Sequence, residues 1–437
     1  MHEVRAFLCG YFTRNIQANF EKMESDGWER KIPGDKYIAD MKRIYYPEFV
    51  DFCFADTDAD KGCVELSRKV GEKMAFATKS GDVELAIDDL SLYLMPMDVT
   101  LLKIGVSFDV DDLNKATAVL ASLRMVDYYS AENHGEFMRL AIDPLLVQYR
   151  ALTGSDACGV SRLVEQGNKF RIFQIINSQT SDDNADMASV LSDVTLYQMG
   201  SVSKVTKGEL KGSGVSEVYL NKILDESRVS VFDSWHALAL NDTFTVHGVN
   251  LSSKMIDQWS KCYFGMIYLH SLMVKSFLFG LNVQLREALQ DRTTALRQLS
   301  TAFGVSRSPI DTLLQRFEEF ERKCCFHKVS YNFLPVLLDE AIDKGLCIAE
   351  EKEQLYGIID KEKGRRDAAN DRLVNGLLFV LSLLTLFSAI WDFSCLINEM
   401  YPYSDYFTSS NMGYRLVTLL VLVLLVGVVS RLFSRRK

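Results

Sequence analysis

Two apolar runs close the chain: Leu373–Trp391, LVNGLLFVLSLLTLFSAIW, and Leu416–Phe433, LVTLLVLVLLVGVVSRLF, with Arg435-Arg436-Lys437 at the very end. Each is about the length a helix needs to cross the hydrocarbon core of a bilayer. The first can lengthen to about 25 residues by taking in Asp392–Ile397. The short loop between the runs carries Asp392, Glu399 and Asp405 against a lone Arg415. The outer flanks hold Lys361, Lys363, Arg365, Arg366 and Arg372 on one side, and Arg431, Arg435, Arg436 and Lys437 on the other. By the positive-inside rule both termini lie in the cytoplasm and the loop lies outside. A single two-helix hairpin has no interior, so a pore through it requires several copies side by side.

Everything before the hairpin reads as soluble protein. The chain has 437 residues, more than one compact core usually holds, so two cytoplasmic units and a membrane part are expected. A net charge of −9 argues against broad nucleic-acid binding but leaves room for a small basic pocket. The start, Met1-His2-Glu3-Val4-Arg5, enters a strand-like segment without the apolar core of a signal peptide. Nine cysteines without a C-x-x-C pair read as reduced small hydrophobes. Cys324, Cys325, His327 and Cys347 lack the paired spacing of a zinc site.

Residues 1–250 alternate strand-like and helix-like stretches, an α/β domain or a pair of them. Val83–Pro96 and Val99–Phe108 form a hairpin about Met97-Asp98. Asp111–Arg124 has helical apolar spacing behind an acidic start, which accounts for Asp109, Asp111 and Asp112. Phe170–Ile176 is a strand, Ser178–Asp186 a polar loop and Ser216–Glu226 a helix. Arg228–Leu240 and Thr243–His247 are strands joined at Asn241-Asp242. Residues 251–371 lose the strand signals and read as a helical stalk, with Ser308 and Pro309 opening one helix. Residues 372–437 form the two-helix transmembrane domain. Ala349–Trp391 has no proline and is expected as one continuous rod. Phe264–Val283 is apolar enough to span a membrane, but Lys275, His270 and Asn282 mark it as a buried or oligomer-facing helix; a lysine at mid-membrane costs about 3 kcal/mol.

At 100° per residue, Asn375, Ser382, Thr385, Ser388 and Asp392 fall within about 140° of arc on the first membrane helix. Such a stripe suits a water-lined path when copies surround an axis, and Asp392 would favour cations at its mouth. The competing explanation is that membrane Ser and Thr bond to their own helix backbone. The second membrane helix has no such stripe and is expected to face lipid.

Two other places are candidates for a ligand. Lys204, Lys207, Lys211, Gly212, Ser213 and Gly214 precede a helix start, where free N–H groups favour a phosphate, although the order is not that of a Walker A loop. Asp56, Asp58 and Asp60 begin like a calcium loop. The pattern then fails, with Lys61 where glycine belongs and Ser67 at the closing position. Trp235, His236 and His247 lie on expected strands, and the histidines are read as ordinary core or surface residues. No nucleophile–base–acid set stands out, and no enzyme is expected.

This order of parts resembles the CorA superfamily of metal-ion transporters: a cytoplasmic α/β domain, a long α-helical stalk entering the first membrane helix, a short outer loop and a second membrane helix with a basic tail. That family carries Gly-Met-Asn at the outer end of the first membrane helix. Here Ile390-Trp391 is followed by Asp392-Phe393-Ser394, and Asn411-Met412-Gly413 holds the same residues reversed at the wrong place. The magnesium filter therefore does not carry over. The chain is similar to CorA-like proteins without the motif that stand beside type III CRISPR systems. That resemblance implies a homo-oligomeric channel or effector, a pentamer, in the bacterial inner membrane. It would act in antiviral defence, gated by a small nucleotide of the S-adenosylmethionine-AMP type. The alternatives are a divalent-cation transporter with an altered filter and a non-conducting membrane-anchored receptor.

Overall fold

The computed structural model describes residues 1–55, 58–78, 81–130, 135–156, 159–164, 168–181, 192–203, 216–290 and 309–400. Contacts divide the chain into two units, Met1–Gly357 and Ile358–Lys437.

The first unit is built on one mixed sheet of nine strands among the described residues. They are β1 His2–Thr13, β2 Glu29–Arg30, β3 Val64–Thr78, β4 Gly81–Leu94, β5 Val99–Val110, β6 Arg171–Ser178, β7 Arg228–Phe232, β8 Trp235–Leu240 and β9 Thr243–Val249. Their order is β2-β3-β4-β5-β1-β6-β9-β8-β7. All neighbours are antiparallel except β6 and β9. The β4–β5 hairpin turns where the sequence places it: Met97 and Asp98 both have positive φ, 60° and 64°. A tight hairpin needs that left-handed geometry to match the twist of its strands, and aspartate tolerates it better than most residues.

Alternation along β1 separates the two faces of the sheet. Val4, Ala6 and Leu8 join one core with Leu113, Ala116 and Leu120 of α1 (Leu113–Leu123) and Leu145 of α2 (Asp143–Thr153). Asp112 caps α1 by accepting from Asn114 N at 2.9 Å, so the acidic start is a helix cap, as expected. On the same face, α3 (Asp193–Gly200) and α4 (Glu217–Ser227) cover Leu238 with Leu196, Leu220 and Leu224.

The opposite face of β1 is covered by the helical run after residue 251. Phe7 meets Phe264 at 4.4 Å, and Phe173 meets Phe264 and Tyr268, each at 5.2 Å. These aromatics sit on a π-helical segment, Trp259–Tyr268, that leads into α5, Leu269–Gln290. Then come α6 (Pro309–Cys324), α7 (Phe333–Gly345) and α8 (Ile348–Met400). The close fit of α7 on β8 depends on Gly345: a Cβ there would stand 2.9 Å from the Cβ of Ala239. β6 has no exposed position, and its buried polar residues find partners: Gln174 Nε2 donates to Thr245 Oγ1 at 2.7 Å and Asn177 Nδ2 to Leu251 O at 3.3 Å.

Three expectations change. The stretch 251–371 is not a single stalk, because its helices up to Gly345 lie in the first unit and supply the second covering layer of the sheet. Arg228–Leu240 is two strands, since Asp233-Ser234 turns the chain and pairs Phe232 with Trp235. Ser178, expected to open an exposed loop, is the buried last residue of β6. The second apolar run, Leu416–Phe433, and the loop before it lie outside the described residues.

Candidate functional site

Helix α8 begins as part of the first unit. Ile348 and Leu355 are buried, at 3% and 0% exposure. Between them Glu351 accepts Lys275 Nζ at 2.9 Å on one carboxylate oxygen and Asn282 Nδ2 at 3.0 Å on the other. Lys275 and Asn282 are seven residues apart on α5, two helical turns, so they share one stripe. Two of the three residues that argued against a membrane span at Phe264–Val283 thus bind the foot of α8, while His270 Nε2 meets Cys324 O at 2.8 Å. Helix α6 contributes a second hold: the Tyr356 hydroxyl donates to Glu321, and the Phe317 and Tyr356 rings lie 5.3 Å apart. Lys352 Nζ reaches Cys325 Sγ at 3.6 Å.

Farther along, α8 changes character. The helix is unbroken from Ile348 to Met400, and no proline occurs in that span. From Val374 to Leu386 seven apolar side chains are exposed: Val374, Leu378, Phe379, Val380, Leu381, Leu384 and Leu386 retain 41–61% of their surface. Asn375, Ser382, Thr385 and Ser388 are exposed on the same helix. Ser382 Oγ donates to Leu378 O at 2.7 Å and Thr385 Oγ1 to Ser382 O at 2.9 Å. Both hydroxyl protons are therefore satisfied by the helix backbone, and the oxygens keep lone pairs to accept from water. Asp392, expected to end the polar stripe of the first apolar helix, lies on α8, and so does Glu399, expected in the outer loop, because the helix continues past the apolar run.

Among the described residues, Ser253–Ala288 is the one helix whose length and mean hydropathy of 1.4 alone would let it cross a membrane. Some 83% of its apolar window is buried, so it is core, as its lysine and histidine indicated. The exposed apolar stretch of α8, Val374–Leu386, is shorter.

The other expected sites fare differently. Lys204, Lys207, Lys211, Gly212, Ser213 and Gly214 lie outside the described residues, as does Asp56. Ser216 caps α4 through Tyr219 N at 3.2 Å. Asp58 and Asp60 turn to the chain's own cations: Asp58 pairs with Lys61 at 3.1 Å, and Asp60 stands 3.9 Å from Arg14. The Lys61 hydrogen bond, with help from the Asp60 N–H, holds the Asp58 carboxyl below the usual range. Among the described residues no three His, Cys, Asp or Glu side chains converge as metal ligands. Cys324 is buried, which pushes its thiol up to about 12.

A polar relay that the sequence reading missed crosses the centre of the sheet. Ser178 Oγ lies 2.6 Å from His247 Nε2 and 2.8 Å from His2 Nδ1, linking β1, β6 and β9. Burial, with His2 and His236 nearby, pushes His247 down to about 3, so it is neutral at ordinary pH. His2 lies 176 residues from Ser178 and Ser178 lies 69 from His247, so no local spacing reveals this contact.

No protein-family model, curated protein or solved structure matches this chain.

Proposed function

We propose that this chain is one subunit of a homo-oligomeric, CorA-like membrane channel or effector, in which the cytoplasmic α/β unit responds to a small ligand and α8 passes that response to the membrane. The observation that supports it is the exposed apolar surface of α8 from Val374 to Leu386, on a helix whose first turns are held in the first unit through the half-buried Glu351 and through Tyr356. Apolar surface gains roughly 25 cal/mol per Å² on leaving water, and a contiguous exposed stretch of it marks a membrane or partner contact. The stripe Asn375, Ser382, Thr385, Ser388 and Asp392 gives copies of the helix a reason to face one another around water. The nucleotide class of the ligand and the setting in type III CRISPR defence follow from the resemblance.

Reconstitution of the full chain in liposomes tests this reading. Ion flux that switches with added nucleotide is the expected result, together with cross-linked species larger than a dimer. A chain that stays monomeric in the bilayer, or leaves vesicles tight under all nucleotides tried, is an anchored receptor instead.

A further inference from the structure

Between its buried foot and its exposed apolar stretch, α8 carries a patterned run of charge, DKEKGRRDAANDR over residues 360–372. At 100° per residue Lys361, Arg365 and Arg372 fall within about 40° of arc, and Asp360, Asp367 and Asp371 within another arc of about 40°. The centres of these two stripes lie about 120° apart around the helix. The arc between them takes Gly364, Ala368 and Asn375. Asp360, Lys361, Gly364, Asp371 and Asn375 are exposed. A Cβ added at Gly364 would meet nothing within 4 Å beyond the adjoining backbone, so the arc is open.

This pattern suits a neighbouring copy better than a lone helix. Opposite charges that stabilise an isolated helix stand three or four positions apart, as Glu362 and Arg366 do. Lys361, Asp371 and Arg372 have no opposite charge at either spacing, and like charges stand four apart at Lys361 and Arg365 and at Asp367 and Asp371. The stripes are also matched in height. Asp360 with Lys361, Asp367 with Arg365, and Asp371 with Arg372 lie within about 3 Å of one another along the axis. Equivalent positions stand level in a ring of parallel copies, so each acid comes level with a base of the next copy. The angle fits as well. In a closed ring the directions from one helix to its two neighbours differ by about 60° for three copies, about 110° for five and about 120° for six.

We infer that residues 360–372 of α8 form the contact between neighbouring copies of this chain, the acidic stripe of one against the basic stripe of the next, in a ring of five or six. The inference rests on the channel reading above and supplies its subunit interface. Two unlike faces meet, so the contact is head-to-tail and closes by rotation. Exposed ion pairs are individually weak, and three levels repeated around a ring supply the number. The arc between the stripes then faces the axis, where Gly364 and Ala368 permit close approach. Asn375 lies in that arc and opens the polar stripe of the apolar segment, so the charge contact turns the stripe towards the centre.

Charge reversal in the full chain, with assembly read by native mass spectrometry from detergent micelles, tests this. Asp367→Lys with Asp371→Lys makes both stripes mainly basic, and Arg365→Glu with Arg372→Glu makes both mainly acidic. Lysine and glutamate are good helix formers, so helix content by circular dichroism should not change. Each reversed chain alone should lower the share of species larger than a dimer at least tenfold. Mixing the two reversed chains, or placing all four changes in one chain, should restore it. Undiminished assembly of both reversed chains overturns the contact and leaves the channel reading in place. Failure of both the mixture and the fourfold variant to restore assembly overturns it too, because the four residues would then act within their own chain. A wild-type chain that assembles no further than a dimer overturns the ring, and one that is monomeric removes the channel reading itself.

Discussion

Lys275 and Glu351 meet across 2.9 Å in the first unit, the lysine 8% exposed and the glutamate 21%. A core helix thereby holds the helix that carries the exposed apolar run. Both charges are largely out of water, so each depends on the other.

Removing one partner is the costly change. Lys275→Met leaves the Glu351 carboxylate with Asn282 alone, and should destabilise the unit by about 3 kcal/mol, at the low end for a buried pair because Glu351 keeps some water contact. Lys275→Met with Glu351→Leu should recover most of that loss. Thermal unfolding of the four members of this double-mutant cycle measures it. Additive losses would show that the two residues stabilise the protein separately.

Much of the sheet was legible because local chemistry decided it. Met97-Asp98 marked its hairpin, and Asp112 marked the start of α1. Strand β3 was not legible: Arg68, Lys69, Glu72 and Lys73 break its alternation where the β3–β4 ribbon bulges and becomes exposed. Helical period after residue 251 showed helices but not their partner, since a face that packs on a sheet has the same spacing as one that packs in a stalk. The polar stripe on α8 was readable from i, i+3 and i+7 spacing. Its foot was not, because Glu351 lies 76 residues from Lys275 and 69 from Asn282.

Stability should peak at intermediate pH, limited by two buried groups with opposite signs. His247 is lowered from 6.5 to about 3, so between those values the unfolded chain binds a proton that the folded one does not. Stability is therefore lost as pH falls from 6.5 towards 3. Asp339 is raised from 3.8 to about 8 by burial and by Asp343 and Glu340. Between those values the folded state keeps a proton that the unfolded state has released, so stability falls as pH rises towards 8. Between 3.8 and 6.5 the two slopes oppose each other, so Asp339→Asn should flatten the fall of melting temperature towards pH 8 and steepen its rise between 3.8 and 6.5. An unchanged alkaline slope would assign it to other groups.

The unbroken course of α8 is open to a direct break. Lys361→Pro removes one backbone hydrogen bond and clashes with the preceding turn, at about 3 kcal/mol within that helix. Lys361 is exposed and outside the buried foot, so the first unit should melt as before. Ligand-dependent flux should fall several-fold with assembly retained by cross-linking. Equal flux in Lys361→Pro and wild type would show that the signal does not travel along α8.

The charge asymmetry around the two apolar runs gives a topology. With native cysteines replaced, a cysteine at Ser409 should react with an impermeant maleimide added outside intact cells, and one at Ser434 should not. The reverse pattern would invert the chain. Reaction at both would mean that the second run does not cross.

The remaining prediction concerns the stripe that ends in Asp392. A carboxylate at the edge of a membrane helix is costly to bury in lipid, so it usually faces water or protein. In a ring of copies, several such charges at one mouth concentrate cations. Asp392→Asn should therefore reduce cation conductance and the cation-to-anion permeability ratio, whereas Asp405→Asn, expected from the sequence in the outer loop, should change neither. Thr385, about two turns deeper, binds its own helix through the hydroxyl proton and leaves its oxygen to water. Thr385→Val keeps the shape and removes that acceptor, so it should lower conductance without altering selectivity. Single-channel recording in planar bilayers separates these effects. Identical permeability ratios in wild type and Asp392→Asn would place Asp392 at the lipid interface rather than on the ion path, and a Thr385→Val channel of normal conductance would turn the stripe away from water.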